Sequence, residues 1–182
     1  MLQKYAIKLL SVVVLTSACL CAQLAAGPYL QLSSSKDQLA TPSTESMPMV
    51  IVMDNQDGGS GIGWNAQRNE ITVKEDGVYF LMAVGQIGMR ETATKLTKGS
   101  QIFLWFEING IPVRDGSSSM QSTPIAHSKT IVNQMVSALK SGDTIRYKFT
   151  SSAAQFGLLS YPATDVMPAS PGMTFTMYKV GI

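Results

Sequence analysis

The stretch "STPIAHSK" contains His127, the one histidine of the chain. A Ser-His-Asp arrangement needs that imidazole held by an acid and set against a nucleophile. The neighbouring residues suggest neither. A zinc centre needs several His or Cys ligands, and beyond residue 22 the chain has one His and no Cys. Asp54, Asn55 and Asp57 place three oxygen-bearing side chains close together, as a calcium loop would, but without the spacing of an EF-hand. Asp and Asn also favour turns by bonding nearby backbone, and the turn reading is preferred. Residues 58–63, "GGSGIG", lack the Gly-Lys-Ser/Thr that completes a phosphate loop. Trp64 and Trp105 are of a type that stacks on sugars. Trp105 sits in an apolar run and is expected in the core; Trp64, between Gly63 and Asn65, is open to either reading. No catalytic residue, cofactor or metal site is therefore expected.

The segments that would position any site are short and extended. Apolar or alternating runs occur at 49–54, 61–65, 70–73, 78–86, 101–108, 111–115, 129–139, 144–151, 155–161 and 173–182. Turn residues separate them: 55–59 (Asn-Gln-Asp-Gly-Gly), Asp76-Gly77, Asn109-Gly110 and Ser141-Gly142-Asp143. Asn-Gly between apolar runs is a strong hairpin signal. A helical stripe is conceivable only over 131–139, and Thr130, Ile131 and Val132 are β-branched and oppose it. Many short strands with turns between them predict a sandwich or jelly roll.

The N-terminus explains part of the apolar content. Lys4 and Lys8 precede an apolar run over residues 9–15, and small residues follow. That is the form of a secretory signal peptide, and the run is shorter than the ~20 residues a membrane span needs. Cleavage after Ala22 is favoured over Ala26. The predicted division is a signal at 1–22, a Ser/Thr/Pro-rich linker at 23–48 and one globular domain at 49–182. Of 14 basic residues, Lys4 and Lys8 leave with the signal, so 12 face 12 acidic ones. With charged residues at 14%, nothing resembles the basic patch of a nucleic-acid binder. Cys19 and Cys21 also leave. "TSAC", residues 16–19, competes as a lipidation signal, although Thr16 stands where such a box prefers an aliphatic residue. The expected address is secreted or cell-surface, with membrane attachment only if Cys19 is lipidated.

Residues 78–84 are apolar throughout, and successive strand residues point to opposite faces. Val78, Phe80, Met82 and Val84 form one set; Tyr79, Leu81 and Ala83 form the other. One sandwich core accepts only one set. "IFLWF" at 102–106 repeats the pattern. Contiguous exposed apolar surface marks an interface, and a symmetric homo-oligomer is the common way to cover it; the less favoured alternative is a loop of the same chain lying over that face.

Gly77-Val78-Tyr79-Phe80 after an Asp-Gly turn, Ile108-Asn109-Gly110, the run "LKSGDTI" at 139–145 and the closing "TFTMYKVG" occur in an order that resembles the tumour necrosis factor-like jelly-roll superfamily. The resemblance is specifically to the complement q-subcomponent globular-head branch, over 49–182, and members of that branch also occur in bacteria. It implies an all-β, two-sheet jelly-roll sandwich of about ten antiparallel strands, assembled as a homotrimer. It places Phe80 and Met82 against neighbouring subunits, with Val132 and Phe175 as further interface candidates that could equally be ordinary sandwich core. Without a collagen repeat, the trimer would form from the heads alone. The function expected is a secreted, non-enzymatic trimeric module recognising a protein or glycan. The alternative is a structural surface or matrix protein built from the same trimer; a secreted hydrolase is the least favoured.

Overall fold

The structure, a computed structural model, describes residues 27–42, 44–89, 100–121 and 129–181. The signal-like segment with Cys19, and His127, lie outside the described residues. Among those described there are thirteen strands and no helix: β1 (Tyr29–Ser34), β2 (Gln38–Leu39), β3 (Met49–Val50), β4 (Asn55–Ser60), β5 (Ile62–Asn65), β6 (Glu70–Val73), β7 (Gly77–Met89), β8 (Gln101–Ile108), β9 (Ile111–Gln121), β10 (Lys129–Leu139), β11 (Thr144–Ser151), β12 (Phe156–Leu158) and β13 (Met173–Gly181).

They form two antiparallel sheets packed as a sandwich. The seven-stranded sheet runs β10-β7-β13-β1-β4, with β12 beside the far end of β7 and β2 outside β12. The six-stranded sheet runs β5-β6-β11-β8-β9, with β3 along β11. The eight principal strands pair in nested fashion. The first, β1, lies on the last, β13, and β6 on β11. Inside these, β7 pairs with β10 and β8 with β9. This wrap is that of a jelly roll. The candidate helix at 131–139 is strand β10, as its β-branched start favours.

The core lies between the sheets. Leu30, Leu32, Tyr79, Leu81, Phe175 and Met177 enter from the larger sheet and meet Ile102, Leu104, Phe106, Ile145 and Phe149. Phe106 packs edge-on against Phe175, with centroids 6.2 Å apart, and tilted against Tyr147 at 4.7 Å.

Three turn motifs are tied together at one end. The backbone N–H of Ser141 donates to Asp76 Oδ1 at 2.8 Å, and Ser141 Oγ donates to the Lys74 carbonyl at 2.9 Å. Asn109 Nδ2 donates to Asp143 Oδ1 at 2.8 Å, while Thr144 N–H donates to Asn109 Oδ1 at 2.9 Å. Asn109 and Gly110 have φ of 51° and 80°, as a tight hairpin turn of this type requires. Tyr79 is buried and donates its hydroxyl to the Glu75 carbonyl at 2.8 Å. Burial, with Glu75 and Asp76 nearby, pushes its pKa up. The Gly-x-Tyr, Asn-Gly and Gly-Asp elements thus lock one end of the sandwich.

Three expectations are corrected. Residues 27–48, read as a tether, supply β1, whose Leu30 and Leu32 are core residues. Ser-rich composition hid two inward apolar side chains in a strand with polar outward positions. Residues 55–59, read as a turn, belong to edge strand β4, which pairs with β1. Its mostly exposed polar side chains leave no apolar signal. Trp105 is half-buried on the outward face rather than in the core. The alternation that sends Ile102, Leu104 and Phe106 inward sends Phe103 and Trp105 out.

Candidate functional site

The outward faces of the two sheets differ in chemistry. Across the smaller one, Arg146 pairs with Glu70 at 2.9 Å and Lys148 with the buried Glu107. The register sets Lys148 opposite Trp105 and Thr150 opposite Phe103. Charged and aromatic side chains alternate there.

The larger sheet has no charged side chain among the outward positions of β10, β7 and β13. Directly paired residues share a face, so the register lists its rows. One row is Val136, Phe80, Tyr178 and Tyr29, on β10, β7, β13 and β1. The next is Gln134, Met82, Thr176 and Gln31, and the third is Val132, Val84, Thr174 and Ser33. Val132 is 51% exposed, Val136 61% and Tyr178 42%. Phe80 and Met82 are half-buried by these neighbours. The result is an apolar column along β7, of half-buried Phe80, Met82 and Val84 flanked by exposed Val132, Val136 and Tyr178, with Gln134, Thr174 and Thr176 between the flanking residues.

Of the interface residues expected from sequence, Phe80, Met82 and Val132 lie together on this surface. Phe175 does not. It pairs with Ala83, points inward and is 1% exposed, filling the core against Phe106. That is a correction: β13 presents Tyr178 and Thr176 outward instead. Val136 and Tyr178 were missed. The signal was present as alternation in 129–139 and 173–181, but their joining to Phe80 comes only from the pairing.

The oxygen-bearing cluster is engaged locally. Asp54 accepts the Ser35 N–H at 2.7 Å and its hydroxyl at 2.6 Å, and Asn55 Nδ2 at 3.2 Å. Burial opposes ionisation of Asp54, but the Ser35 bonds, a backbone bond and Lys36 outweigh it, and its pKa is lowered. Asp57 accepts the Ser33 hydroxyl at 3.1 Å. Among the described residues no three His, Cys, Asp or Glu side chains converge as a metal site, and no helix is long and apolar enough to cross a membrane. Trp64 is half-buried and packs against the core from β5.

No protein-family model matches the chain, and no curated protein matches it.

Proposed function

We propose that this chain is an exported, non-enzymatic recognition module of the tumour necrosis factor-like jelly-roll type, close to the complement q-subcomponent heads. In this reading it works as a homotrimer that presents a protein- or glycan-binding surface. The observation that carries the reading is the uncharged outward face of β10, β7 and β13, with Phe80 beside Val136 and Tyr178. Exposed Val132, Val136 and Tyr178 clustered around Phe80 and Met82 are the kind of apolar grouping that a partner surface covers. An identical chain supplies it by closed symmetry; the threefold order follows from the family resemblance. The nested strand pairing supports the same reading, as does the cluster of locked turns, because these are the features around which the resembling motifs are ordered.

Sedimentation equilibrium of the exported chain tests the assembly. A species of three chains is expected across micromolar concentrations, and single-chain mass throughout would overturn the proposal. Glycan arrays and protein pull-downs with the same material separate a recognition module from a purely structural trimer.

A further inference from the structure

We infer that the larger sheet carries a binding groove for a neutral polyhydroxylated ligand, one or two sugar units, between strands β1, β4 and β13 and the 161–171 connection. This rests on the recognition-module reading and deepens it by naming a ligand class and its place.

The groove has a volume of about 560 Å³, within the range of small-molecule sites. Gln31, Ser33 and Thr174 contribute from the outward face of the sheet. Asp57 joins them because of a bulge. Gln31 pairs with Gly58 and Leu32 with Gln56, which leaves Asp57 as the extra residue. Such a bulge re-aims a side chain, and here the Asp57 carboxylate lies against the Ser33 hydroxyl at 3.1 Å. The 161–171 connection adds Tyr161, Pro162 and Pro171.

That lining selects by chemistry. It contains hydroxyls, amides and one carboxylate, but no Lys, Arg or His. A phosphate or sulfate would find no counter-charge and would be repelled by Asp57. Nearby Asp54 is already engaged by Ser35, so a cation would find a single carboxylate with one oxygen already accepting a hydroxyl. A sugar offers hydroxyl edges to the donors and acceptors and a C–H face to the tyrosine and proline surfaces.

The wall is held in place before any ligand arrives. Gln86 Nε2 donates to the Pro171 carbonyl at 2.9 Å and also to Ser170 Oγ. Tyr161 and Ser170 exchange two backbone hydrogen bonds of 2.8 Å each, and Gly172 N–H donates to the Ser34 carbonyl at 2.9 Å. A fixed wall reduces the ordering that binding would otherwise require. The groove shares the outward face of the sheet with the apolar column, since Thr174 pairs with Val84 and Gln31 with Thr176; a trimer compatible with it closes over the Phe80 and Tyr178 row at the other end of β13 and leaves the β1 and β4 side open.

Saturation-transfer NMR on the full exported chain tests this, with the methyl glycosides of mannose, galactose, glucose and N-acetylglucosamine at about 10 mM and glucose 6-phosphate as the charged control. At least one neutral glycoside is expected to receive saturation. Tyr161→Ala and the groove-filling Gln31→Trp, each confirmed folded by its melting curve, should weaken it about tenfold. Phe103→Ala, on the other sheet, should leave it unchanged. Transfer to no neutral glycoside, transfer that survives Gln31→Trp, or stronger binding of the phosphorylated sugar would each overturn the groove. Sedimentation of the same samples separates the two ideas. A trimer that binds no glycoside removes this site and leaves the protein-recognising module standing, whereas a monomer whose glycoside binding is lost in Gln31→Trp keeps the groove and removes the assembly.

Discussion

The rings of Phe80 and Tyr178 lie 5.2 Å apart, centroid to centroid and tilted by 40°, on the outward side of the larger sheet. Neighbouring strands hold them as a direct cross-strand pair, with Val136 on the other side of Phe80. Turned away from the core, such a cross-strand pair contributes roughly 0.2 to 1 kcal/mol to a lone chain. Phe80 and Met82 are already half-buried, so covering what remains exposed against a partner contributes less than the roughly 1.5 to 3 kcal/mol of burying a fully exposed side chain, repeated in every copy.

Under the proposed trimer, Phe80→Asp is expected to give a monomer, because it would place an unpaired charge in the proposed interface. Met82→Asp should do the same. Leu81→Asp, one residue away and facing inward, should instead prevent folding. Sedimentation velocity with circular dichroism reads the contrast; a folded trimeric Phe80→Asp variant would move the interface to another surface.

Phe175→Ala is expected to destabilise the fold by about 3 to 5 kcal/mol and Leu32→Ala by about 2 to 5 kcal/mol, as for other large-to-small core changes. Urea unfolding measures both. A change in Phe175→Ala confined to oligomer dissociation, with unfolding unaltered, would contradict its place against Phe106.

Stability should fall in acid, in part through Asp143. Its carboxylate accepts the Lys140 N–H at 2.8 Å and Asn109 Nδ2 at 2.8 Å, and these bonds hold its pKa below the ordinary carboxylate value. A depressed folded-state pKa leaves the group ionised where the unfolded chain already binds a proton. The stabilisation is full above the unfolded value and is lost as pH falls through the lower folded one. Asp143→Asn should thus shrink the drop in melting temperature between about pH 5 and about pH 2.5. An undiminished drop would assign it wholly to other groups.

Calcium is expected to leave the melting temperature unchanged relative to chelator. Asp54 is occupied by Ser35, and Asp57 accepts from Ser33. Ion binding linked to folding would appear as a calcium-dependent rise.

The sequence alone determined that the chain builds strands and where several of them turn, because alternation and Asn-Gly or Gly-Asp punctuation are local properties. It also separated Tyr79 and Leu81 from Phe80 and Met82, since side chains two apart must share a face. Local periodicity does not say which face is inward. For β13 that was decided by pairing Phe175 with Ala83, which sent Phe175 to the core and Tyr178 to the surface. Residues 29–34 and 55–60 became strands only because β1 covers the free side of β13 and β4 covers β1. Their backbone groups gain partners that no stretch of either segment specifies by itself. The Asp57 bulge and its approach to Ser33 are likewise tertiary, fixed by a one-residue mismatch between two strands whose Ser33 and Asp57 are 24 residues apart.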